Sequence, residues 1–340
     1  MTRKAYPDYH KFMMDQTSYP AAPRRIKFEE TRNSLLYRTG EAVYKIRKTS
    51  PVFSSMAVKE AYAHEALTLS KRWAAGQTQG LTVIRKTPTG FVMDGQGEPA
   101  AYALKTAQLS NHFWMDYLLA NDKVTPTGMG RLARYLAQAH QQFPAGEKLS
   151  QECGRVEHFH SLFEENIYQV KKYQDKAITA PMIDMITRPM ERFFEDFRKL
   201  FIKRQKKGLI VEGHGHFIPE HIHIKSKDIL AISPLEGQQK YRVLDAANDV
   251  ATLLNALVRA NSAELGDIFL KRYITASRDR DLPKILPAYQ TFQALRSGRE
   301  LCEWVAMAAP DEETAKQAHQ TSHEFFSLAV KRAREIPRPG

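Results

Sequence analysis

The chain predicts an α+β fold with a small sheet-rich N-lobe and a larger, mainly helical C-lobe. Three observations carry that expectation. Up to Thr106 the apolar residues fall in short runs with strand-like alternation, split by Gly-containing turns. Beyond Thr106 they recur at helical spacing. Within the helical part, residues 208–249 return to short strands around a loop rich in His and Gly.

Residues 1–24 hold several Pro and Tyr without sustained periodicity and read as an N-terminal arm. Residues 25–106 form the N-lobe. Its strand candidates are Arg25–Phe28, Ser34–Tyr37, Ala42–Ile46, Leu81–Ile84, Phe91–Met93 and Tyr102–Leu104, with Thr39-Gly40 as a turn. One helix interrupts them, Val58–Trp73, with Val58, Ala61, Tyr62, Ala66 and Leu69 as its expected buried stripe. Residues 107–340 form the C-lobe. Trp114–Leu119, Thr127–Gln142, Glu157–Tyr173, Met182–Lys207, Ala246–Asn261, Leu265–Ile274, Ile285–Trp304 and Asp311–Glu335 carry helical spacing, with a break or kink expected at Pro189 and an N-cap at Asp311. In Thr127–Gln142 the inward positions are Met129, Leu132, Ala133, Leu136 and His140. An apolar strand from Leu209 leads into a His-Gly turn, Ile222–Ile224 is a second strand, and Lys225–Asp228 turns into a third at Ile229–Ile232.

At 340 residues and 43% apolar content, the chain is long enough to bury a large core and is not a disordered protein. It has no run of about 18 apolar residues and no apolar segment after its basic N-terminus. The expectation is therefore a cytoplasmic protein without a membrane span. Cys153 and Cys302 stand far apart, which excludes a cysteine zinc site and argues against a disulfide framework. The net charge of +12 favours anionic partners, but nucleic acid or anionic lipid has no support beyond that charge. The cluster Arg198, Lys199, Lys203, Arg204, Lys206 and Lys207 follows an aromatic stripe and reads as the solvated face of an amphipathic helix, or else as a docking patch.

Glu65 sits on the inner side of the first helix, where a partly buried carboxylate requires a cation. Lys45, inside Val43-Tyr-Lys-Ile, is the cation the pattern offers. His214, His216, His221 and His223 make two His-x-His pairs, which read as a transition-metal site or as hydrogen-bonded loop histidines. Alternate strand residues seldom converge on one ion, which favours the second reading. His158 with His160, and His319 with His323, lack an identified third ligand. P-loop, serine-hydrolase and zinc-finger motifs are absent.

Across roughly residues 25–300 the chain resembles the aminoglycoside phosphotransferase type of protein-kinase-like protein, in particular its uncharacterised bacterial branch. The resemblance lies in the order and spacing of several pieces. They are Glu30-Thr-Arg-Asn-Ser, Val43-Tyr-Lys-Ile-Arg-Lys, Glu65, Tyr102-Ala-Leu-Lys, Leu136-Ala-Gln-Ala-His, the 208–224 block and Leu244-Asp-Ala-Ala-Asn-Asp. It implies a bilobal fold in which Lys45, Glu65 and Lys105 hold a nucleotide and residues 208–249 form the catalytic-loop region.

The departures from that family bear on function. The family's loop reads His-Gly-Asp, and the Asp is the base. Here His214 keeps the structural position and His216 takes the base's. His221 matches the Asn or His that follows, and Ser233 falls where the main magnesium-binding Asp would stand, unless a shift in the turn brings Asp228 there. Glu236 matches the family and is a possible substitute ligand, while Asp245 and Asp249 are assigned to bracing the loop. Magnesium prefers carboxylate and phosphate oxygen, which a Ser hydroxyl does not replace. An imidazole accepts a proton but supplies no negative charge. The expected function is therefore a pseudokinase, with phosphoryl transfer lost or very weak, working through a protein partner and keeping a relic nucleotide cleft. In that reading ATP binding is weak or absent, and Mg or Mn is left open. The alternatives are an active ATP-dependent phosphotransferase of a small-molecule acceptor with rearranged metal ligands, and a basic module for nucleic acid or anionic lipid.

Overall fold

The computed structural model describes residues 6–50, 53–226 and 228–338. The first five residues of the arm, Lys227 of the predicted turn and the last two residues of the C-lobe lie outside them. The chain divides into two compact units, one of Met1–Asn111 with Leu230–Gly237, the other of His112–Ile229 with Gln238–Gly340.

The first unit is built on β1 (Lys27–Glu30), β2 (Ser34–Arg38), β3 (Ala42–Arg47), β4 (Thr78–Thr87), β5 (Gly90–Met93) and β6 (Glu98–Ala107). They form one antiparallel sheet in the order β1-β2-β3-β6-β4-β5. Side chains alternate across a strand, so the pairs Tyr37↔Tyr44 and Tyr44↔Lys105 share one face, while Leu36↔Lys45 and Lys45↔Leu104 share the other. The arm, with its short helix α1 (His10–Met14), covers the first face. Met13, Tyr19 and Ile26 pack there with Leu35, Tyr37, Tyr44 and Ile46. Helix α2 (Met56–Trp73) starts at Ser55, whose hydroxyl accepts the Val58 N–H, and Tyr62, Ala66 and Leu104 form a smaller cluster. The buried stripe of α2 is Tyr62, Ala63, Ala66, Leu69, Ser70 and Trp73. Val58, 41% exposed, and Ala61 lie outside it, contrary to the expectation. The stripe begins at Tyr62 and ends at the buried Trp73.

The second unit begins with α3 (Met115–Ala120), α4 (Pro126–Gln142), α5 (Glu147–Cys153), α6 (Val156–Val170), α7 (Ala180–Asp196) and α8 (Arg198–Lys206). All five inward positions expected on α4 are buried. The predicted break at Pro189 is displaced: α7 runs through Pro189 and ends at Phe197. That turn leaves Phe193, Phe194 and Phe201 buried together. The strands β7 (Ile210–Glu212) and β8 (Ile222–Ile224) follow, and the Lys225 N–H bonds to the Asp228 carbonyl at 2.9 Å in the turn before β9 (Ile229–Ala231), whose last two residues belong to the first unit. After α9 (Gln239–Arg242), β10 (Val243–Asp245) pairs antiparallel with β7. The unit closes with α10 (Ala247–Arg259), α11 (Ala263–Ser277), α12 (Leu282–Ala308) and α13 (Glu312–Arg334), the last capped by Asp311. Phe159 stacks on Tyr289 at 4.2 Å in the centre of its core. No helix among the described residues is long and apolar enough to cross a membrane.

Candidate functional site

In the first unit, Lys45 projects from β3 opposite Leu104. Its ammonium meets Glu236 Oε1 at 3.0 Å and Ser233 Oγ at 3.4 Å. Glu236 is 6% exposed, and Tyr62 donates its hydroxyl to the other carboxylate oxygen at 2.8 Å. Burial raises the Glu236 pKa, but Lys45, the Tyr62 hydroxyl and Arg47 outweigh it and hold the carboxyl below its usual range. Arg47 lies over the rings of Phe53 and Tyr62, at 5.1 and 5.2 Å. Glu65 accepts the Gly237 N–H at 2.9 Å. Gly237 has φ +70, and a Cβ there would meet the Tyr62 ring at 3.0 Å, so the turn that follows Glu236 requires glycine.

The partner of Lys45 is therefore Glu236, where the sequence pointed to Glu65. Its proximity to Lys45 also places Ser233, with φ +54, in this cluster. Asp228 is exposed in the turn before β9, within the second unit. Lys105, grouped by sequence with Lys45, sits on the opposite face of the sheet with its ammonium 5.5 Å from the Tyr44 ring. Strand parity separates the two lysines.

In the second unit, β7 leads into the loop Gly213 to Ile218, which is organised by a single carboxylate. Asp249, on the first turn of α10 and 1% exposed, accepts the backbone N–H of His214 and of Gly215, each at 2.7 Å. It also accepts from His140 Nε2 at 3.1 Å, and His140 Nδ1 meets the Tyr273 hydroxyl at 2.7 Å. Burial would raise the Asp249 pKa, but His140 and the loop donors hold it below the usual carboxylate range. Gly213 comes close enough to Asp249 that a Cβ would lie 2.6 Å from Oδ2. His216 is half-buried, its carbonyl meets His221 Nδ1 at 3.1 Å, and the two imidazoles stand edge to face at 4.7 Å. His214 is buried beside Phe217, and His223 packs against Trp114. No group of three potential metal-ligating side chains comes together among the described residues.

Asp245 is held elsewhere in the same unit. Arg204 donates to both its oxygens, at 2.6 and 2.8 Å, and to both oxygens of Asp279, at 2.8 and 2.7 Å. Although burial disfavours its charge, the two carboxylates raise the Arg204 pKa and keep the guanidinium ionised. The basic cluster on α8 is exposed as expected of a solvated face at Arg198, Lys199, Lys203, Lys206 and Lys207, and departs from it at Arg204. Arg204 is buried, Lys203 and Lys207 pair with Asp281 at 2.6 and 3.4 Å, and Arg198 pairs with Glu157.

The sequence named Glu236 only as a substitute metal ligand and missed its pairing with Lys45 and Tyr62. It also missed Arg204, His140 and Tyr273 as the groups that fix Asp245 and Asp249. A Lys and a Glu far apart in the chain give no local signal. The inward position of His140 on α4 was a usable one.

No known protein-family model matches the chain. Uncharacterised proteins of Mycobacterium tuberculosis H37Rv and Mycobacterium bovis align at 22% identity over 292 residues, 84% of this chain but 56% of theirs. The chain spans just over half the length of these relatives. Among solved structures, choline kinase from Cryptosporidium parvum Iowa II superposes with a TM-score of 0.58 at 11% identity, covering 94% of each chain. A candidate aminoglycoside phosphotransferase from Ralstonia eutropha JMP134 gives 0.53 at 12% identity, over 95% of this chain and 97% of that one. A microcompartment-associated aminopropanol kinase gives 0.52 at 12% identity, over 97% and 99%. The chain therefore has the protein-kinase-like bilobal fold that choline kinase and its phosphotransferase neighbours share.

Proposed function

We propose that this protein is a pseudokinase of the aminoglycoside-phosphotransferase type, with its loop scaffold retained and its phosphoryl-transfer chemistry lost. The observation that carries the reading is the state of its carboxylates. By the resemblance the position of the magnesium-binding aspartate falls at Ser233, and Glu236, Asp245 and Asp249 are each committed internally, while Asp228 lies exposed in the turn before β9. Glu236 is taken up by Lys45 and Tyr62, Asp245 by Arg204, and Asp249 by two loop N–H groups and His140.

Phosphoryl transfer in this fold depends on positioning and on metal neutralisation of the developing charge. The residues present do not fit a magnesium–nucleotide complex. Ser233 offers a neutral hydroxyl to a hard cation. His216 at the base position brings no negative charge to orient a hydroxyl. The bracing of the loop by Asp249 supports a scaffold kept for binding, with a protein as the partner.

Thermal unfolding with ATP, alone and with magnesium or manganese, tests the reading. A ligand that binds the folded state stabilises it by about 2.7 kcal/mol at a hundredfold excess over its dissociation constant. Metal is expected to add nothing to the response of the natural protein, and Ser233→Asp is expected to introduce a metal-dependent shift. An aspartate tolerates the left-handed backbone of position 233. A metal-dependent shift in the natural protein, lost on Lys45→Ala, would favour the phosphotransferase reading.

A further inference from the structure

We propose a binding site for a phosphate-bearing anion on the face of the sheet opposite Lys45, between the N-terminal arm and the ends of β2, β3 and β6. A cavity of about 510 Å³ lies there, lined by Arg24, Arg25, Lys105, Glu41, Tyr19 and Tyr44, with the proline-rich stretch after Tyr19 completing its wall. Its size falls within the range of small-molecule sites, about 300–1,000 Å³.

The cavity is built by specific contacts. The arm is pinned on one side by the Tyr19 hydroxyl, which donates to the Met13 carbonyl at 2.6 Å, and by the Tyr19 ring, which meets the Tyr44 ring edge-on at 5.2 Å. Gln16 donates to the Arg24 carbonyl at 3.1 Å, and Pro23 and Ile26 are buried on either side of Arg24 and Arg25. The backbone carrying the two arginines is thereby fixed at the rim of the cavity while their side chains are exposed. Lys105 enters from the sheet, its ammonium over Tyr44 at 5.5 Å.

Charge decides the ligand class. Within this unit Lys45 pairs with Glu236, Arg38 with Glu29 and Lys48 with Glu30. Arg24, Arg25 and Lys105 have no ion-pair partner among the described residues, and Glu41 is the one carboxylate on the cavity wall. Three cations facing one acid leave a concave site with a net positive field, which suits a compact dianion or trianion bound by Arg forks and a Lys point charge. The arm supplies Arg24 and the start of the N-lobe Arg25, and the site is separate from the Lys45 cluster because Tyr44 and Lys105 stand on the opposite face of the sheet from Lys45.

The experiment is calorimetric titration of the full chain with inorganic pyrophosphate, and with ADP in the absence of metal as a second source of the same phosphate chemistry. Saturable one-to-one binding of either is expected. Loss of one charged contact should weaken it about tenfold or more, so Lys105→Gln and the pair Arg24→Gln with Arg25→Gln should each show that loss, while Lys45→Ala should not. Because the substituted side chains are exposed or half-exposed, matching melting temperatures are expected and are checked first. Pyrophosphate should also slow tryptic cleavage after Arg24 and Arg25 severalfold in the natural protein and not in Lys105→Gln. The proposal is overturned if neither anion binds, or if binding survives the Lys105 and arginine variants. It is equally overturned if binding disappears with Lys45→Ala, or weakens as much with the exposed controls Lys199→Gln and Lys206→Gln.

Discussion

Replacing Glu236 by glutamine should make the protein less stable and, at the same time, a better binder of polyphosphate. Lys45 and Glu236 lie 3.0 Å apart, with 21% and 6% of their side-chain surface exposed. At an effective dielectric of about 20, unit charges at that distance attract by about 5.5 kcal/mol. Most of this is offset, because the substitution also removes the cost of burying a carboxylate. A net loss of about 1–3 kcal/mol is left, the range of a charge-assisted hydrogen bond. The glutamine carbonyl still accepts from Tyr62, so the cluster keeps its shape. Lys45 is then free to meet an anion, and metal-free ATP should bind about tenfold more tightly. Urea unfolding reads the first effect and calorimetry the second. A folded Glu236→Gln variant whose ATP affinity is unchanged or reduced refutes the idea that Glu236 neutralises Lys45.

Further outcomes follow from the second unit. Asp249→Ala leaves two buried N–H groups and His140 without their acceptor and should cost about 3–5 kcal/mol by urea unfolding, with a loss below 1 kcal/mol counting against the bracing role. Arg204→Met strands Asp245 and Asp279 as buried charges and should cost a similar 3–5 kcal/mol. Arg204→Lys should recover only part of that, since an ammonium cannot fork onto two carboxylates. Asp281, held down to about 2 by Lys203, Lys284 and Lys207, should contribute stability that is fully present above the ordinary Asp pKa of 3.8. That contribution fades as pH falls through the folded value, so the acid limb of the stability curve should flatten in Asp281→Asn.

The fold was legible because its signals are local. Alternation in Ala42–Arg47 and the four inward apolar residues of α4 depend on neighbours a few positions away, and these elements formed where the pattern put them. Val58 on α2 shows the limit, since its spacing matched the stripe but tertiary packing follows Tyr62, Ala66 and Trp73. The site was legible as positions and less so as contacts. The spacing that picked out Asp249 and Ser233 could not reveal that Asp249 is satisfied by backbone N–H groups, which leave no mark in a side-chain pattern. Nor could it show that Lys45 pairs with Glu236, 191 positions away. Lys105 was grouped with Lys45 because both stand on strands, and only the register between β3 and β6 puts them on opposite faces.

The central claim is that this scaffold no longer transfers phosphate. The most direct test is incubation of the natural protein and Lys45→Ala with γ-labelled ATP and magnesium or manganese, scoring label released to water or moved to aminoglycoside, choline or amino-alcohol acceptors. The account predicts equal background for both proteins under every condition. Turnover by the natural protein that disappears in Lys45→Ala would contradict it.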